Sequence, residues 1–189
     1  MGDSMSSMIL NGDTSGAITV TVPAVAGTNT ATLPAATGTV MVSGNMPAFS
    51  AYMSSSTQSV TTGTFTKVQL NAKTFDTANC YDATTNYRFT PNVAGYYQVN
   101  GLVGCSASSA TIYIATIYKN GAEFCRGNDL RGSSGFMTLS SCTVSSLIYL
   151  NGSTDYIELY GYIAGTSPLF NGTSMTGGSY FQASMVRAA

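Results

Sequence analysis

Alternation is the feature that most limits what this chain can become. From Tyr81 through Gly95-Tyr-Tyr-Gln-Val99 to Ile117-Tyr-Lys-Asn-Gly121, aromatic and β-branched residues recur at alternate positions. That period of two puts Tyr97 and Val99 on one face of a strand. Asn-Gly, the strongest short hairpin signal, recurs at Asn100, Asn120, Asn151 and Asn171. No window sustains a helical period, so the chain reads as all-β from residue 47 onward. Two polar stretches, Ser54–Gly63 and Gly127–Gly135, read as loops. Phe136 to Cys142 and Thr143 to Leu150 read as further strands. Many short strands over a Tyr- and Phe-rich interior predict a two-sheet sandwich.

Residues 1–45 stand apart from the domain at 46–189. Thr19-Val-Thr-Val-Pro-Ala-Val-Ala-Gly-Thr-Asn29 aligns with Thr30-Ala-Thr-Leu-Pro-Ala-Ala-Thr-Gly-Thr-Val40 at a period of eleven. Each unit reads as a short alternating strand, a proline stop and a Gly-Thr turn. The segment is too small and too poor in large apolar residues to bury a core alone. It is expected to stack on copies of itself, on the larger domain or on another protein.

Charged residues make up only 8% of the 189 residues, against roughly 25% in ordinary soluble domains. Hydroxyls, amides and tyrosines must then make up most of the surface, which suits an extracellular particle. Seven basic and eight acidic residues, with no basic run, argue against nucleic acid as a partner. The longest apolar run near the C-terminal end, Leu147–Leu150, is far below the ~20 residues of a membrane helix, so no membrane insertion is expected. No secretory leader is recognisable at the N-terminus. Cys80, Cys105, Cys125 and Cys142 have no zinc-like spacing. Two disulfides in any of three connectivities, or four small apolar fillers, both fit.

There is no histidine, which removes Ser-His-Asp and Cys-His pairs and the commonest metal ligand. Gly2-Asp3-Ser4-Met5 is similar to a lipase nucleophile block but has no base. A glycosidase would need paired carboxylates, for which Asp76 with Asp82 or Asp155 with Glu158 are the candidates. Asp82 and Asp155 sit in turn-like contexts, where Asp caps its own backbone. No acidic cluster supports calcium. The expectation is a non-enzyme with no catalytic residue, metal or cofactor. The best binding candidates are Arg126, Asn128, Asp129 and Arg131, beside Phe124 in the polar stretch after Asn120-Gly121, where Arg with amide and aromatic neighbours suits glycan or protein contact. Asn151-Gly-Ser153 and Asn171-Gly-Thr173 match glycosylation acceptors and are expected to be turns.

Larger landmarks fall in a familiar order. They are Pro47-Ala-Phe-Ser-Ala51, Phe65 with Asn71, Tyr81-Asp82, Phe89, Gly95 and Tyr97, then Ser146–Leu150 with Gly152 and Asp155, Tyr156–Leu159, and Tyr180–Val186. This series resembles the trimeric jelly roll of the complement component one, subcomponent q globular-head family, a relative of the tumour necrosis factor fold. Two departures are that Val99 and Gly101 stand where aromatics are common. The resemblance implies a homotrimeric binding and assembly module. Residues 1–45 are similar to pieces found upstream of binding domains in bacteriophage fibre and virion proteins. The expected function is that of a bacteriophage virion protein, a fibre or spike contacting a host-surface glycan or protein and joined to other virion proteins through residues 1–45. A capsid decoration protein and a secreted bacterial adhesin or spore-coat protein are the rivals.

Overall fold

Strand β9, Gly95–Lys119, organises the fold because both layers are built on it. The computed structural model describes residues 7–25, 27–32, 35, 37–38, 40–55, 57–133, 138–172 and 178–189. They divide into two compact units, Met1–Gly38 and Thr39–Ala189. Gly2-Asp3-Ser4-Met5 lies outside the described residues.

In the first unit, β1 (Ser7–Asn11) and β2 (Ala17–Thr21) form an antiparallel hairpin. Met8 faces Val20 and Leu10 faces Ile18, so one side is wholly apolar, and all four are at least half exposed. β2 is the strand expected of the first eleven-residue unit. The described residues of the second unit, between 30 and 40, form none.

The second unit begins with a single 3-10 turn at Ser43–Asn45. Its strands are β3 (Ala48–Tyr52), β4 (Thr57–Ser59), β5 (Thr66–Lys67), β6 (Ala72–Asp76), β7 (Tyr81–Asp82), β8 (Arg88–Phe89) and β9, followed by β10 (Ala122–Arg131), β11 (Leu139–Leu150), β12 (Ile157–Asn171) and β13 (Tyr180–Ala188). The first half of β9 pairs with β13 on one side and β11 on the other. With β3 and β6 beyond β13, this gives a layer in the order β6-β3-β13-β9-β11. The second half of β9 pairs with β10 and β12, and β12 carries β4, β5 and β8. β9 passes between the layers around Ser109, whose φ is 51°. Opposite it, β12 shifts register twice near Ser167 and Pro168, where a bulge tolerates a proline.

Alternation fills the space between the layers. Tyr97, Val99, Val103 and Cys105 point inward from β9 and are fully buried. Phe49 stacks on Phe89 at 4.5 Å and on Tyr81 at 4.8 Å, and meets Phe181 edge-on at 5.4 Å. Burying each such ring contributes about 2–3 kcal/mol. Tyr97 keeps its hydroxyl satisfied by donating to the Val93 carbonyl at 2.7 Å.

Three turn or loop expectations are corrected here. Asn100-Gly101 is no hairpin but lies within the first half of β9. Glycine suits that position because a Cβ on Gly101 would stand 2.6 Å from Leu159 Cδ1. The stretch Gly127–Gly135 is no loop through Arg131, which ends β10, and residues 134 and 135 lie outside the described set. Its Gly, Asn and Asp serve a bulge between Arg126 and Asp129 instead of a turn. Ser54–Gly63 likewise contains the short strand β4. Asn120-Gly121 is a true hairpin turn, with φ of 52° and 82°.

Candidate functional site

β10 carries the four residues singled out from the sequence. The register sets Glu123, Arg126, Asp129 and Arg131 opposite Tyr118, Thr116, Ile114 and Ile112, so all four share the outward side of the β9–β12 layer. There they neutralise one another. Arg126 donates to both Glu123 oxygens at 2.8 Å, and Arg131 grips Asp129 at 2.7 and 3.0 Å. The Arg131 and Arg126 guanidiniums hold the Asp129 carboxyl below its ordinary range despite some desolvation. Asn128 turns away from this strip, and its Oδ1 accepts from the Thr143 amide at 2.9 Å and hydroxyl at 2.7 Å. Asn128 therefore ties β10 to β11.

The same outward side is covered by the chain's own aromatic residues. Tyr118 stacks on Tyr160 at 3.9 Å, Phe65 leans on Tyr162 at 5.0 Å, and the Arg126 guanidinium lies 5.2 Å above Phe65. Beneath this cover Ile114, Thr116 and Glu158 are almost inaccessible. Glu158 Oε1 receives Lys67 Nζ at 2.6 Å and the Arg88 guanidinium at 2.7 Å, while Arg88 also lies 3.8 Å over the Tyr156 ring. Tyr160-Gly-Tyr162, spaced for one strand face, is the local signal that could have revealed this cluster, and the sequence reading missed it. Nothing local pointed to the Lys67–Glu158–Arg88 triad, because its members lie on three strands distant in sequence.

The carboxylates considered as acid–base pairs have structural duties. Asp82 accepts from the Thr84, Thr85 and Asn86 amides, which hold its carboxyl far below its ordinary range. Asp76 accepts from the Cys80 and Tyr81 amides and from Lys73. Asp155 binds Asn120, the Asn151 amide and Lys119. Among the described residues no group of three or more His, Cys, Asp or Glu side chains could hold a metal. All four cysteines are free. Cys105 and Cys142 are buried diagonal neighbours on β9 and β11, and their mutual hydrogen bond together with burial raises the Cys105 thiol.

The other layer has no such cover. Its outward positions form rows across the strands. One runs Phe75–Ser50–Gln182–Asn100–Ser145, another Ala48–Ser184–Gln98–Leu147, and a third Tyr52–Tyr180–Leu102–Thr143. Tyr96 and Tyr149 close one end, with rings 5.5 Å apart. None of these positions is charged, and among the described residues charge stands at the margins, in Lys73 and Asp76 on β6, Arg187 opposite Tyr96, and Lys119, whose ammonium lies 5.8 Å from the Tyr149 ring. Phe75, Tyr96, Leu147 and Tyr149 are 41–55% exposed here. A bare, uncharged sheet face with a middle band of amides and hydroxyls is suited to contact another protein surface.

No protein-family model matches this chain, and no curated protein matches it in sequence. Solved structures do match in fold. Eiger TNF from S. frugiperda superposes with a TM-score of 0.57 at 12% identity, covering 76% of this chain and 93% of that one. Murine APRIL at pH 5.0 gives 0.52 at 12% identity over 75% and 99% of the two chains. The chain is thus an all-β jelly roll of the kind found in tumour necrosis factors.

Proposed function

We propose that this chain is a structural protein of a bacteriophage virion, a homotrimeric fibre or spike module that attaches the particle to its host. The observation that carries this reading is the division of charge in the jelly roll. One face is bare and uncharged, and identical copies can bury it against one another without repulsion. The opposite face holds the Arg126–Glu123 and Arg131–Asp129 pairs and remains available for a host-surface glycan or protein. The β1–β2 hairpin adds an apolar side that its own two strands cannot cover, which suits docking on another virion protein.

Light scattering at micromolar concentration should return three times 19.6 kDa. A mass of one chain would refute the assembly. Labelled protein on purified particles, viewed by electron microscopy, should mark fibres or spikes. Label distributed over the head would establish capsid decoration instead. In the fibre case, Arg126→Ala with Arg131→Ala should slow adsorption while the melting temperature stays nearly constant, because exposed ion pairs are worth about 0–1 kcal/mol.

A further inference from the structure

The face that carries the ion pairs holds one unbroken chain of contacts between aromatic and charged side chains. Across β10, β9 and β12, Asp129, Ile114 and Tyr162 stand in one row, and Arg126, Thr116 and Tyr160 in the next. Phe65, just ahead of β5, bridges the two rows, its ring 5.0 Å from Tyr162 and 5.2 Å from the Arg126 guanidinium. Arg126 Nη1 reaches Asp129 at 3.4 Å, and Asp129 in turn holds Arg131. Two properties of this strip point to a ligand. Its charges cancel, because Glu123 and Asp129 match Arg126 and Arg131. It also has hydrogen-bonding capacity left over. Among the described residues, Arg131 bonds through Nε and Nη2 alone, and each Glu123 oxygen accepts once, from Arg126. A guanidinium has five N–H donors and a carboxylate about four acceptor positions, so neither group is saturated.

We propose that this strip binds a neutral pyranose of a glycan, with the sugar's C–H face against the Phe65 and Tyr162 rings and its hydroxyls on Glu123, Arg126, Asp129 and Arg131. The proposal rests on the attachment reading above and names the ligand class and the aromatic half of the site. Ring faces carry partial negative charge and attract polarised C–H bonds. Sugar hydroxyls both donate and accept, so they need donors and acceptors side by side, which paired guanidiniums and carboxylates provide. A phosphate or uronate gains little from a strip whose charges cancel. A protein surface that dried both ion pairs would incur their desolvation, whereas sugar hydroxyls replace the water they displace. The pairs also hold their own side chains in place before a ligand arrives, which lowers the cost of ordering them.

The test is saturation-transfer NMR on the full chain. The neutral probes are the methyl α-pyranosides of glucose, galactose, mannose and N-acetylglucosamine, and the charged probes are methyl glucuronide and glycerol phosphate. At least one neutral probe should bind with a Kd on the order of 1–10 mM, the range for a ligand of about a dozen heavy atoms. Saturation should be strongest on the C–H protons of one face of the sugar. Phe65→Leu keeps an apolar cover but removes the ring, and should weaken binding at least about 5-fold. Arg131→Ala should weaken it at least about 10-fold. The Arg131 side chain is 61% exposed, so this variant reports on the site even if Phe65→Leu disturbs the fold. No neutral probe bound at about 100 mM, ten times the weakest Kd expected, would overturn the proposal. So would binding that both variants leave unchanged, or a charged probe that binds at least about 10-fold tighter than every neutral one. Slowed adsorption of the Arg126→Ala, Arg131→Ala protein with no pyranoside bound would overturn the sugar site and leave the attachment reading standing. Pyranoside binding with unchanged adsorption would uphold the site and overturn that reading.

Discussion

Glu158 shows how much of this molecule's polar chemistry serves the fold. It is 1% exposed and balances two cations on one oxygen, so its charge can be buried only while Lys67 and Arg88 stay in place. Glu158→Gln keeps the shape but strands two half-buried cations. Urea titration should show a loss of about 3 kcal/mol, with the far-ultraviolet spectrum of the folded state unchanged. The aspartates act in the same sense at lower pH. Asp82 is held down first by the Thr84 and Thr85 amides. For Asp76, desolvation opposes ionisation, and the Tyr81 and Cys80 amides with Lys73 overcome it. A depressed folded-state carboxyl contributes stability above the unfolded value near 3.8 and loses it as pH falls through the folded one. The thermal midpoint should therefore stay level from neutral pH to about 5 and drop steeply below about 4. Asp82→Asn should flatten the upper part of that drop.

At the scale of elements, β10 separates what the sequence reveals from what it conceals. Gly127, Asn128 and Asp129 are turn formers by local preference, and nothing in their neighbourhood says that Thr143 will be waiting across the layer. A Cβ on Gly127 would overlap the Thr143 carbonyl oxygen and crowd the Val144 Cα. Glycine is there to let two strands touch. Gly127→Ala should part β10 from β11 and lower stability by about 1–3 kcal/mol, which chemical denaturation would register. A change below about 0.5 kcal/mol would mean the bulge adapts freely. The two ends of β9 and much of β11 to β13 were legible because period two is a local property, whereas the unbroken run of β9 was not, since Asn100-Gly101 reads locally as a turn. Asn120-Gly121 was legible, because its positive φ values need those residue types. The uncharged face was half legible. Leu147 and Tyr149 alternate with buried Ile148 and Leu150, but only the register reveals that Tyr96, Gln98 and Asn100 lie beside them. The second eleven-residue unit repeated its letters without forming a strand among its described residues, for a strand also needs a partner ladder.

For the whole molecule, the core is self-sufficient. Every member of the buried cluster lies between Phe49 and Met185, with Met41 packed against it. Removing residues 5–38 takes away the β1–β2 hairpin and leaves that cluster intact. On the role proposed above, the shortened protein should be a soluble trimer, keep the melting temperature of the full chain, and not co-sediment with virions. Retained binding at full occupancy would move the anchor to the jelly roll.

One backbone segment, Gly95 to Lys119, shares hydrogen-bond ladders with four other strands across both layers. Neither layer can come apart while the other persists, because each would have to release the same 25 residues. In deuterium exchange the central amides of β9 should therefore open only with global unfolding, at one shared rate on both sides of Ser109. A pulling force that must break those ladders would meet a single barrier, which would suit the attachment role proposed above.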